Sequence, residues 1–172
     1  MGFQQFLLTL HSHFMKEKAM VENLSKEEIV KQLLEKIDRR IDGALTADTM
    51  VRLNGDELTL LAYDIFRREM LEGGMVQLIH NGYGGFIFEN PFAKAMRLWG
   101  LKDFSKFVYA ARQLYEKSRE DLTKDCTDEE FMALYEQHPE MEDVDDDFIE
   151  MEPRITSFVG DYVAAHRNLF ND

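Results

Sequence analysis

The chain is poor in the residues that cross-link or interrupt a fold. Among its 172 residues there is one cysteine, and there are three prolines. Cys126 alone cannot make an internal disulfide, and no metal-ligand spacing surrounds it, so a reducing compartment, the cytoplasm, is the expectation. No stretch approaches the eighteen continuous apolar residues of a membrane span. The N-terminus lacks the basic start and small-residue cleavage site of a signal peptide, and Phe6 stands where a myristoylation signal needs Ser or Thr. A soluble protein is expected. Convincing strand alternation is missing too, with Phe86-Ile87-Phe88 its nearest approach.

Basic residues are also scarce, 20 against 33 acids, for a formal charge of -13. The shortage is local. Residues 121–153 hold fourteen acids against Lys124 alone, and the rest of the chain is balanced. Such a field repels nucleic acid and membrane surfaces and attracts basic proteins or cations. A charged run often serves only solubility. Here Val144, Phe148, Ile149 and Met151 interrupt the acids at spacings that suggest an ordered, partly packed element. Glu140, Glu142, Asp143, Asp145, Asp146, Asp147, Glu150 and Glu152 are therefore the candidate partner-binding acids. Carboxylates fixed on a helix at i, i+3 and i+4, about 5–6 Å apart, have a spacing comparable with that along a nucleic-acid backbone.

What is abundant is apolar and periodic: 45% hydrophobic residues and 12% aromatic, enough for a core. Phe3, Phe6, Leu7, Leu10 and Phe14 recur at helical spacing. Ser25 to Glu28 forms a capping box ahead of Ile29, Leu33, Leu34, Ile37 and Ile41, closed by Gly43. After the Asn54-Gly55-Asp56 break, residues 57–71 predict a central, mostly buried helix, apolar around most of its circumference between Leu58 and Phe66. Residues 75–81 predict a short helix. Pro91 suits the first turn of the next, Asp103 opens a long one with Phe104, Phe107, Val108, Ala111, Leu114 and Tyr115 facing inward, and Thr127 to Glu130 is a second capping box. The last segment passes Pro153 into a stripe of Ile155, Phe158, Val159, Tyr162 and Val163. The pattern predicts one all-α domain over 1–172 with seven or eight helices, of which 1–45 holds the N-terminal amphipathic pair.

Five of the ten glycines, Gly73, Gly74, Gly82, Gly84 and Gly85, fall within thirteen positions. They match neither dinucleotide-binding nor phosphate-loop spacing. Gly73 and Gly74 instead suit a helix that ends and restarts with almost no loop. Glu69, Gln77 and Asn81 flank that corner, as a buried hydrogen-bond network or, with His80, as a small polar site. The other histidines show no ligand spacing, so no zinc site is expected. Asp143, Asp145 and Asp147 resemble a calcium loop only in part: Phe148 occupies the glycine position and Arg154 that of the bidentate acid. No nucleophile, base and orienting group occur together, and neither catalytic residues nor a cofactor are expected.

Two patterns then carry a resemblance. Glu69-x-x-x-Gly73-Gly74-x-x-Gln77-x-x-x-Asn81-x-x-Gly84 resembles the E-V-x-N-G-G-F-x-Q-F-F-x-N-S-x-G signature of the DNA-mimic protein C-terminal domain family. Val144-Asp145-Asp146-Asp147-Phe148, followed by Tyr162-Val163-x-x-His166-x-x-x-Phe170, is similar to that family's closing elements. The likeness covers about 56–170, with Met75, Leu78-Ile79, Glu72 and Gly82 departing from the signature. It implies an all-helical bacterial protein without catalytic residues. It further implies charge mimicry, since the family's characterised member is a dimeric acidic protein that occupies the DNA-binding surface of a transcriptional regulator.

Three functional readings follow. In the first, the acidic face binds a basic, DNA-binding protein, with no direct contact to nucleic acid or membrane. In the second, the corner of Glu69, Gln77, His80 and Asn81 binds or transforms a small molecule. In the third, the acids serve solubility and the N-terminal helices mediate a homodimer.

Overall fold

The computed structural model describes residues 24–170, and the predicted helix over Phe3–Phe14 lies outside them. Eight α-helices and no strand occur among the described residues, as the missing alternation required. They are α1 (Lys26–Arg40), α2 (Ala47–Met50), α3 (Gly55–His80), α4 (Gly84–Phe88), α5 (Phe92–Trp99), α6 (Lys102–Leu122), α7 (Asp128–Gln137) and α8 (Glu142–Ala165).

Both predicted capping boxes form. The Ser25 hydroxyl accepts from the Glu28 N–H while the Glu28 carboxylate accepts from the Ser25 N–H, and Thr127 with Glu130 repeats the exchange at α7. Each box satisfies donors that a helix start otherwise leaves orphaned. Two more boxes occur, Thr46 with Thr49 at α2 and Asn54 with Glu57 at α3. Asn54 is thus a helix cap as well as a break.

The long α3 is the central element. Leu60, Phe66, Met75, Leu78 and Ile79 along it are fully enclosed. Phe66 meets Phe104 and Phe107 of α6 and Phe148 of α8 edge-on, with ring centroids 5.8, 6.3 and 5.1 Å away. Edge-to-face aromatic pairs add specificity to the apolar burial. Antiparallel to α3 runs α8, in a register fixed by three polar pairs: Met75 with Asp145, Arg67 with Glu152, and Tyr63 with Thr156. Lys26 ties α1 to the far half of α8 through Ser157 and Asp161.

The nearest approach to strand alternation is helical, and one expectation, the inward place of Phe158, needs correction. Residues 86–88 are the end of α4, with the Ile87 N–H bonded to the Tyr83 carbonyl and the Glu89 N–H to the Gly85 carbonyl. Alternation over three residues is too short a signal, and Gly84 lets α4 lie close on α6, because a Cβ there would be 2.4 Å from the Tyr115 ring. Phe158, placed in the inward stripe of α8, is 37% exposed and rests against Gly100. The rest of that stripe faces inward or is half-buried.

Candidate interaction face

The eight candidate acids divide. Glu142, Asp143, Asp146, Asp147 and Glu150 are exposed on the first half of α8. At 100° per residue they occupy one side of the helix, and they cover an axial length of about 12 Å at 1.5 Å per residue. The average is roughly 3 Å of axis per charge, close to the ~3.4 Å per charge along one strand of duplex DNA. Glu140, in the preceding 3₁₀ turn, is exposed beside them and lies 3.2 Å from the His138 ring nitrogen. A hydrogen bond from its own backbone, with His138 helping, holds its carboxyl below the usual value.

Asp145 and Glu152 turn the other way, which corrects their place on the outer face. They stand three residues before and four after the buried Phe148, on the side of α8 packed against α3. Glu152 accepts from the Arg67 guanidinium and from the Thr156 hydroxyl at 2.6 Å. Burial raises its carboxyl, but those two partners outweigh burial and hold it below the usual range. Asp145 accepts from the Met75 N–H at 2.8 Å. There burial wins over the hydrogen bond, assisted by Asp146 and Glu142, and pushes the carboxyl up to about 6.

The glycine corner explains that contact. Gly74 has φ +68° and ψ -162° inside α3, so the helix stops and restarts there without a loop, as expected. Glu69, 4% exposed, accepts from the Gln77 amide at 3.2 Å and the Asn81 amide at 2.8 Å. Gln77 folds over Gly73, where a Cβ would meet its Oε1 at 2.3 Å. Tyr135 of α7 donates to the Gly73 carbonyl at 2.9 Å. His80 does not join: its Nδ1 is 2.9 Å from the Leu122 carbonyl, and its ring packs on Phe131.

The network leaves little for a ligand to grip. A shallow depression of about 650 Å³ reaches the corner only at Asn81. An apolar groove of about 480 Å³, lined in part by Leu58, Ala62, Phe92, Leu98, Trp99 and Tyr162, involves none of the four corner residues. No group of three His, Cys, Asp or Glu side chains among the described residues is arranged to hold a metal ion. No helix among them is long and apolar enough to cross a membrane.

Sequence reasoning missed the partners that seat the inner acids, Arg67, Thr156 and the Met75 N–H, and the Tyr135 hydroxyl that braces the Gly73 carbonyl beside them. The signal for the acids themselves was present. Helical periodicity, which holds for acids as for apolar residues, assigns Asp145 and Glu152 to the Phe148 side.

Residues 51–166 match the model of a family described as DMP19-like protein. The chain is also 33% identical over 121 residues to the DNA mimic protein DMP19 of Neisseria meningitidis serogroup B (strain ATCC BAA-335 / MC58), covering 69% of this chain and 72% of that protein. The matched region contains the glycine corner, its Glu69 network and the whole of α8, and on that footing the chain belongs to the DMP19-like family.

Proposed function

We propose that this chain is a non-catalytic DNA mimic of the cytoplasm, whose outer α8 carboxylates occupy the basic surface of a DNA-binding protein. The observation that carries the reading is the row Glu142, Asp143, Asp146, Asp147 and Glu150, held outward on a well-seated helix at close to the axial charge density of a DNA strand. The printed name of the Neisseria relative, a DNA mimic protein, supports it. Pre-set carboxylates spare a partner the cost of ordering its ligand. They also steer its approach, an attraction that salt weakens.

The test neutralises four outer acids together, Glu142→Gln, Asp143→Asn, Asp146→Asn and Asp147→Asn. The wild-type protein is expected to capture DNA-binding proteins from a bacterial lysate at low salt and release them as salt rises, and the variant to capture far less. Equal capture by the two would sink the proposal.

The small-molecule reading of the corner has less to stand on. Glu69 is enclosed and engaged by Gln77 and Asn81, and His80 points to Leu122 instead.

A further inference from the structure

At the kink, α3 begins again after Gly74, and the first N–H groups of a new helical segment have no partner within it. One of them, on Met75, is satisfied from 70 residues further along the chain, by Asp145. Side-chain capping of a helix start is ordinarily the work of the residue immediately before it. Here that position is a glycine in the left-handed region, and the cap arrives from another helix.

We propose that Asp145 is a positioning residue, a clip that fixes α8 on the α3 kink and thereby sets the direction in which the outer carboxylates point.

Three observations make the clip a built feature. A Cβ on Gly74 would lie 2.1 Å from Asp145 Oδ2, so the carboxylate occupies the space that the missing side chain leaves. The Tyr135 hydroxyl braces the preceding carbonyl from α7, at 2.9 Å from the Gly73 oxygen. The second inner acid, Glu152, grips Arg67 seven residues on, so α8 is held at two points separated by about 10 Å of axis. Two fixed points on one side of a helix define its rotation. A slip of one residue would turn the outer carboxylates by roughly 100°.

The clip responds to protons. Asp145 faces the Met75 N–H on α3, the Tyr135 phenol on α7, and Glu142 and Asp146 on its own helix. Its carboxyl is pushed up to about 6 from 3.8. The folded state therefore binds more protons than the unfolded state between those values. The stability contributed by protonating Asp145 is fully present below the lower value and is lost as pH rises through about 6. The contact itself is independent of the DNA-mimic reading; its bearing on partner binding rests on that reading.

The experiment compares wild type with Asp145→Asn, which keeps an acceptor, and Asp145→Ala, which removes it. Amide hydrogen exchange at Met75 and unfolding between pH 5 and 7.5 are the readouts. Loss of the cap in Asp145→Ala should speed Met75 exchange by about tenfold, while Asp145→Asn should remain within about threefold of wild type. Wild type should gain stability between pH 7.5 and 5 relative to Asp145→Asn. Unchanged Met75 exchange in Asp145→Ala, or the same pH response in wild type and Asp145→Asn, would overturn the clip. If Asp145→Ala fails to fold, the Asn comparison still decides. Failure of the DNA-mimic reading looks different: the four-acid outer variant would retain partner capture, with Met75 exchange as in wild type.

Discussion

On the inner side of α8, Asp145 and Glu152 accept from a backbone N–H, a guanidinium and a hydroxyl. On its outer side, Glu142, Asp143, Asp146, Asp147 and Glu150 face water. The residue types are the same and the helix is the same, so the division comes from the 100° step that carries some positions toward Phe148 and others away from it. An acid that meets a donor at the core boundary becomes part of the architecture. One that meets only solvent remains available to a partner, and its cost to the fold is small. Total charge, which is all that composition reports, does not separate these two uses.

The largest expected effect comes from breaking the inner side at its tightest point. Gly74→Ala puts a Cβ onto the Asp145 carboxylate and strains a backbone with φ +68°. It should lower unfolding stability by about 2–5 kcal/mol, measured by urea denaturation. Next is Glu152→Ala, which leaves the partly exposed Arg67 and the Thr156 hydroxyl without this acceptor. A loss of about 1–2 kcal/mol is expected by the same measurement.

The two inner acids should also titrate in opposite senses. The Glu152 carboxyl is held below its ordinary value, so its contribution is present above that value and fades as pH falls through the lowered one. Asp145 is raised, so its contribution grows as pH falls toward its unfolded value. Stability profiles of Glu152→Gln and Asp145→Asn, each subtracted from wild type, should therefore slope in opposite directions. The smallest effects belong to the outer acids. Asp143→Asn or Asp147→Asn alone should change stability by less than about 0.5 kcal/mol.

The sequence made the long elements legible through agreement of cap and periodicity. Ser25 with Glu28 and Thr127 with Glu130 announce α1 and α7, and both boxes form. Helices α2 and α4, of four and five residues, were missed because neither is long enough to show a helical period. The corner at Gly73 and Gly74 was legible because two adjacent glycines have few other uses inside an apolar helix. Asp145 was not, because its partner is a backbone N–H 70 positions away, and no side-chain pattern announces such a donor. His80 was drawn into the corner by its position in sequence. At i+3 from Gln77 it is near the face of Glu69, yet its ring finds the Leu122 carbonyl.

The central claim is that the outer carboxylates of α8 stand in for a DNA backbone. It is tested most directly by competition. A captured partner is loaded with a fluorescent DNA duplex that it binds, and this protein is then titrated in at low salt. The account predicts that wild type displaces the duplex, while the variant with Glu142→Gln, Asp143→Asn, Asp146→Asn and Asp147→Asn does so only at much higher concentration. A partner that holds the duplex and wild-type protein at the same time, in a ternary complex, would contradict it.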